Sequence, residues 1–334
     1  MDGVTNRLQK PRILPASGTV DVKALLAVCV TVLLWASSFV AIRDIGQTLS
    51  PGSMALLRLV VAAAALTVMV AVVTRRAPRI PRSWTSLRLI LAYGVLWLAG
   101  YTVVLNSAEQ LVDAGTAALL VALAPLLVAF GAGRFLGEGY PRPLLIGSVI
   151  AFGGVAVIAL DSTGQIDGLG IVLCLTAAVL YATGVLIQKV TLRRVDGMTV
   201  TWLGSVVATI ALLPWTPQLI GELATAPSDA ILGTVYLGLF PTAIGFSTWA
   251  YALKRMDAGR LSATTYAVPA VSVLLSWVWL AELPTVYGFA GGALCLLGVA
   301  ISRRRSRRVV PVGTPSETPE SRGERAVSEP TATH

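Results

Sequence analysis

The chain alternates long apolar runs with short polar breaks, and each run is close to the roughly 20 residues that a helix needs to cross a hydrocarbon core. The runs lie near 23–42, 53–74, 86–107, 113–132, 143–160, 168–188, 198–216, 230–252, 260–281 and 284–302. They are continuously apolar and do not alternate at period two, so they predict helices and not the strands of a membrane barrel. The expected fold is an all-α membrane protein of ten transmembrane helices. The apolar stretch from Ala24 to Ile42 is longer than a signal-peptide core and reads as an uncleaved first span.

Composition makes the bilayer the natural solvent. Hydrophobic residues are 55% of the 334, charged residues only 13%, and mean hydropathy is +0.76, too apolar for a soluble domain. The net charge of +9 does not predict nucleic-acid binding, because the basic residues lie between apolar runs and not on one water-exposed face. Their distribution instead sets orientation. With the N-terminus inside, the inner segments hold Arg75, Arg76, Arg79, Arg82 and Arg88, then Arg134 and Arg142, Lys189, Arg193 and Arg194, and Lys254, Arg255 and Arg260. The outer loops carry mainly Asp44, Glu109, Asp113, Asp161, Asp167, Glu222 and Asp229, with Arg43 as their single basic residue. Both termini are therefore expected in the cytoplasm: residues 1–22 as a polar N-terminal segment, and 303–334 as a disordered basic tail able to touch anionic lipid. Cys29, Cys174 and Cys295 fall inside apolar runs, and the one histidine is His334. No cofactor, disulfide framework or metal site is expected.

Sliding the chain on itself by 144 positions aligns Ala108 with Ala252, Asp113-Ala114-Gly115 with Asp257-Ala258-Gly259 and Pro125 with Pro269. It also aligns Leu136 with Leu280, Glu138 with Glu282, Gly147 with Gly291 and Gly154-Val155-Ala156 with Gly298-Val299-Ala300. Matching Asp, Pro, Glu and Gly at one offset points to two copies of a five-helix unit, 23–160 and 168–302. An odd number of helices makes the second copy enter from the opposite side, and such inverted halves can exchange conformations around a midplane site.

These residues resemble the EamA-type family of the drug/metabolite transporter superfamily. The stretch from Trp35 to Arg43, Trp-Ala-Ser-Ser-Phe-Val-Ala-Ile-Arg, is similar to that family's opening Trp-Gly-Ser-Ser-Phe pattern, with Ala36 in place of Gly. Each half ends in the family's mid-helix Pro, Leu-Gly-Glu-like turn and Gly-rich last helix: Pro125, Leu136-Gly137-Glu138 and Gly147 to Gly154, then Pro269, Leu280-Ala281-Glu282 and Gly291 to Gly298. The resemblance implies ten helices, a central cavity shared by the halves, and export or exchange of metabolites.

Arg58 is the one charge deep in a span, and such a group is a functional candidate by default. Its planar fork suits a substrate carboxylate; snorkelling to the outer headgroups, or pairing with Asp44 or a helix-end carbonyl, is the alternative. Pro125, Pro241 and Pro269 each free a carbonyl one turn earlier, as a gating hinge or a static kink. Aromatic and polar span residues include Trp35, Ser37, Ser38, Trp97, Tyr101, Asn106, Tyr181, Gln188, Trp202, Trp249 and Tyr266, which serve as cavity walls or as interfacial anchors. From these the substrate-binding candidates are Arg58, Trp35, Ser38, Tyr101, Asn106, Tyr181, Trp202 and Tyr266. Glu138 and Glu282 end their helices near headgroups, as structural or gating groups. Gly147, Ala151, Gly154, Gly288, Gly292 and Ala300 allow close helix contact, within the monomer or in a homodimer.

The absence of a mid-span acid argues against a lipophilic-cation pump, and a lone Arg58 argues against phosphorylated sugars. The expectation is a secondary transporter of the cell membrane that exports small neutral or zwitterionic metabolites such as amino acids by alternating access. Drug efflux by the same fold, or a non-transporting receptor or scaffold, is the alternative. With no usable His and no acid pair, an enzyme is not expected.

Overall fold

In hydrocarbon every backbone N–H and C=O must find a partner within the chain, and a continuous apolar run satisfies this most simply as a helix. The computed structural model describes residues 22–74, 80–135, 142–160, 167–256 and 258–302; the expected N-terminal segment, the basic tail and Glu138 lie outside them. The described residues contain no strand. The helices are α1 (Val22–Ile45), α2 (Pro51–Thr74), α3 (Trp84–Ala108), α4 (Ala114–Phe135), α5 (Arg142–Ala159), α6 (Gly168–Thr191), α7 (Gly197–Leu223), α8 (Ser228–Arg255), α9 (258–280) and α10 (Val286–Ser302). Seven of them, α1 to α4 and α6 to α8, are long and apolar enough to cross a membrane. The other three hold shorter apolar stretches, Leu145–Ile158, Thr264–Leu280 and Val286–Gly298.

Helix starts follow local chemistry. Asp113, Asp167 and Asp196 accept hydrogen bonds from the backbone N–H of Thr116, Leu169 and Thr199 at 2.8, 2.8 and 2.9 Å, which caps α4, α6 and α7. Helix α7 runs past its expected end near 216, because a 3₁₀ turn over Leu213–Trp215 redirects it into Thr216–Leu223. Pro214 and Pro217 stand at the starts of those two pieces, where a missing N–H is harmless.

Four helices depart from α geometry inside the bundle. Helices α3 and α8 contain π-helical stretches, Gly94–Tyr101 and Gly238–Ile244, whose first residues stand 144 positions apart, the offset of the internal repeat. Helix α4 breaks at Ala122 and Leu123, just before Pro125. In α9 a 3₁₀ turn, Ala263–Tyr266, precedes Pro269. Each proline lacks the N–H that would bond four residues back, and the backbone relaxes there.

Helix α1 lies against α8 and α9, α2 against α7 and the π stretch of α8, and α6 against α3 and α4. Helices α5 and α10 pack closely along a seam of small residues. There Gly147 meets Gly298, Gly154 meets Gly291, and the Cys295 thiol donates to the Ala151 carbonyl at 3.2 Å. The pairing is reciprocal, since Gly147, Ala151 and Gly154 stand 144 positions before Gly291, Cys295 and Gly298. Large apolar side chains such as Val149, Trp277, Val278 and Trp279 are exposed, a surface suited to lipid.

The two ends of the bundle are tied by cations at helix C-termini, where such charges are favoured. At one end Arg43 donates from Nη1 to the Glu109 carbonyl at the end of α3, 2.8 Å away, and pairs with Glu282 at 3.3 Å. Glu282 follows Ala281, whose φ of 54° turns the chain sharply out of α9. The start of α6 lies at this end, with Gly170 against Leu111 and Val112. At the far end of α6, Lys189 donates to the Leu253 and Met256 carbonyls at 2.8 and 2.6 Å.

A Cβ added at Gly154 would overlap the Gly291 carbonyl, whereas one at Gly153 meets only Leu294 at 3.9 Å. Gly154→Leu is expected to destabilise the fold by about 1–3 kcal/mol through overpacking, seen as a lower melting temperature in detergent. Gly153→Ala should leave that temperature unchanged.

Candidate functional site

The site begins with a proline. Pro241 has no N–H to give the Leu237 carbonyl; the π register there passes that oxygen to Thr242, whose hydroxyl also donates to it at 2.8 Å. With its proton so directed, the Thr242 oxygen accepts from Nε of Arg58 at 2.7 Å. Arg58 is 4% exposed, so it neither snorkels nor reaches the headgroups. Its Nη1 has no hydrogen-bond partner, a costly condition for a buried donor. The Pro241 carbonyl in turn accepts from Trp35 Nε1 at 3.3 Å.

Aromatic side chains wall the space in front of Arg58. Trp35 and Phe39, one helical turn apart on α1, share a face, and Trp97 and Tyr101 project from the π stretch of α3. The Trp35 ring lies 4.9–6.4 Å from the centroids of Trp97, Tyr181, Phe246 and Trp249, mostly at tilted or edge-on angles that suit ring quadrupoles. Between them is a cavity of about 40 Å³, room for roughly three waters. Ser38, Thr265, Pro125 and Pro269 complete its wall. Both helix breaks ahead of these prolines adjoin the cavity, so its wall includes backbone that is not locked in α geometry. A larger cleft of about 570 Å³ opens elsewhere, among α1, α8 and α9, between Asp44, Asp229, Tyr236 and Trp279.

Of the residues singled out from sequence, Arg58, Trp35, Ser38, Tyr101, Tyr181, Pro125 and Pro269 meet at the cavity, and Pro241 holds Trp35. Asn106 is buried nearby but donates to the Pro51 carbonyl at 3.0 Å. Trp202 bonds Thr67 at 2.8 Å on the outer α2–α7 contact. Tyr266 ends the 3₁₀ turn of α9, and Glu282 pairs with Arg43. Sequence reasoning did not select Thr242, Phe246 or Glu109 for the site, and it named Trp97 only among the aromatic span residues that serve as cavity walls or interfacial anchors. A hydroxyl residue directly after an intramembrane proline is a usable signal for Thr242. Glu109 reads as a loop acid, yet it is 1% exposed.

The sequence profile of the EamA-like transporter family matches residues 22–160 and again 168–304. The chain is 37% identical over 284 residues to a probable terminal-alkyne amino-acid exporter of Streptantibioticus cattleyicolor, covering 85% of this chain and 94% of that one. It is 33% identical to an uncharacterized transporter of Archaeoglobus fulgidus, over 85% of this chain and 99% of the other. A crystal structure of a protein 23% identical superposes with a TM-score of 0.62 over 87% of this chain and all of that one, a likeness of fold.

Thr242→Val removes both the donor to Leu237 and the acceptor for Arg58. The Arg58 Nε donor, buried and left without its acceptor, costs about 1–3 kcal/mol, so a clear fall in thermal stability in detergent is expected, while Thr242→Ser should stay near the native value.

Proposed function

The chain belongs to the EamA-like transporter family and is a multi-pass transporter of the cell membrane, and we propose that it exports amino acids or related zwitterionic metabolites by alternating access. The observation that carries the substrate class is Arg58: a buried guanidinium, fixed through Nε by Thr242, with Nη1 unbonded beside a cavity of aromatic walls. Such a group suits a carboxylate, with two parallel hydrogen bonds available from its fork. The ring walls suit the apolar part of an organic solute. The exporter relative's substrate is an amino acid by its name, which agrees with that chemistry.

Ten membrane crossings are supported by the seven long and three shorter apolar helices, and cytoplasmic termini by the charge alternation. Two inverted five-helix halves are supported by the twice-matching family profile, the paired π stretches and the reciprocal α5–α10 seam. At about 40 Å³ the cavity is too small for an organic solute, whose sites measure roughly 300–1,000 Å³. It is tied at both ends by Arg43 and Lys189, which fits an occluded form. Transport then requires one end to open at a time while the cavity widens around Arg58.

Purified protein in proteoliposomes should move labelled amino acids in preference to the matching amines that lack the carboxylate. A hydrogen bond to a charged group contributes about 1.5–3 kcal/mol, so Arg58→Ala should lower that flux by at least about tenfold, with Arg58→Lys intermediate. Flux of amines or a lipophilic cation alone would overturn the substrate class, and no flux of any solute would overturn the export reading.

A further inference from the structure

Glu109 is a buried acid that the solute site does not use. It follows the last turn of α3 as its C-cap residue, is 1% exposed, and neither carboxyl oxygen has a hydrogen-bond partner. The charged and titratable groups that act on it electrostatically come from several elements: Arg43 of α1, Arg58 of α2, Tyr101 of its own helix, Asp113 at the cap of α4, Cys174 of α6 and Glu282 before α10. The two cations spend their contacts elsewhere. Arg43 gives Nε and Nη2 to Glu282 and Nη1 to the Glu109 main-chain carbonyl, and Arg58 gives Nε to Thr242.

An ionised carboxylate in that position would be desolvated and unbonded, which costs far more than a neutral carboxyl. It would also sit at the negative end of the α3 dipole. Burial therefore raises the Glu109 pKa well above the ordinary carboxyl value, with Arg43 and Arg58 pulling it down and Asp113 and Glu282 pushing it further up.

We propose that Glu109 is a proton-binding site of the transport cycle, loaded from the Arg43 end, and that this end closes over the cavity only when the carboxyl is neutral. Opening breaks the Arg43–Glu282 tie, wets Glu109 and passes its proton to water; closing takes one proton back from the same solution. A wetted glutamate titrates near about 4.3, so the closed form holds one more proton than the open form between that value and the raised one. Across this window each unit of acidification on that side favours the closed form about tenfold. Below it both forms are protonated, and above the raised value both are ionised, so the dependence disappears at either extreme. The place of this proton in a cycle rests on the export reading, while its presence rests on the burial and bonding of Glu109 alone.

Two measurements separate these. Infrared difference spectroscopy of the purified chain at neutral pH should show a protonated-carboxyl band that Glu109→Gln deletes and Glu109→Asp shifts. In proteoliposomes, acidifying the Arg43-side solution by one unit should slow opening-limited solute exit by up to about tenfold, and Glu109→Gln should remove this dependence. A native spectrum lacking that band overturns the proton site, whatever the flux. A band without any solute movement leaves the proton site standing and removes the export reading. Solute movement with the native pH dependence kept in Glu109→Gln overturns the coupling. Should Glu109→Gln fail to fold, the shifted band of Glu109→Asp decides the assignment.

Discussion

Pro241 takes an amide hydrogen out of α8, and in hydrocarbon no water replaces it. The helix answers by widening into the π register over Gly238–Ile244, which gives the Leu237 carbonyl to Thr242, whose hydroxyl also donates to it. Because that hydroxyl has one proton to give, its oxygen is left to accept, and the acceptor is what anchors the Arg58 side chain. The Pro241 carbonyl receives Trp35, around which the remaining rings gather. One missing hydrogen bond thus settles where the buried charge sits and where the aromatic wall stands.

The same economy recurs elsewhere in the chain. Helix α3 widens into a π stretch at Gly94–Tyr101, which brings Trp97 and Tyr101 to the cavity, and α4 and α9 lose regular geometry ahead of Pro125 and Pro269. A π stretch or a broken turn is a place where backbone bonding is already irregular, so changing it costs less than unwinding an intact helix. Three of the four departures supply residues directly to the cavity wall, and the fourth, in α8, holds Arg58 and Trp35 to it. The bundle away from them is packed through small-residue contacts such as the α5–α10 seam.

Much of the architecture was legible because hydropathy and charge act along the chain. The run expected at 168–188 became Gly168–Thr191, and the one at 53–74 became Pro51–Thr74. The site was half legible. Arg58 stood out as a charge in an apolar run, and Trp35 and Tyr181 stood out as aromatic residues inside their spans. Trp202 and Asn106 looked equivalent to them in one dimension, but which face of a helix turns inward depends on neighbours that the sequence does not order. The π stretches were invisible for a related reason: a uniformly apolar run does not say whether its hydrogen bonds close after four residues or five. Glu109 misled because a helix end was equated with water, whereas Arg43 and Glu282 cover it.

The two ends of the molecule are fastened by similar devices. Both place a cation on helix C-terminal carbonyls, and at one end the same cation, Arg43, also pairs with the Glu282 carboxylate. The Arg43–Glu282 pair is partly exposed, at 21% and 34%, so salt in the solution at that end screens it.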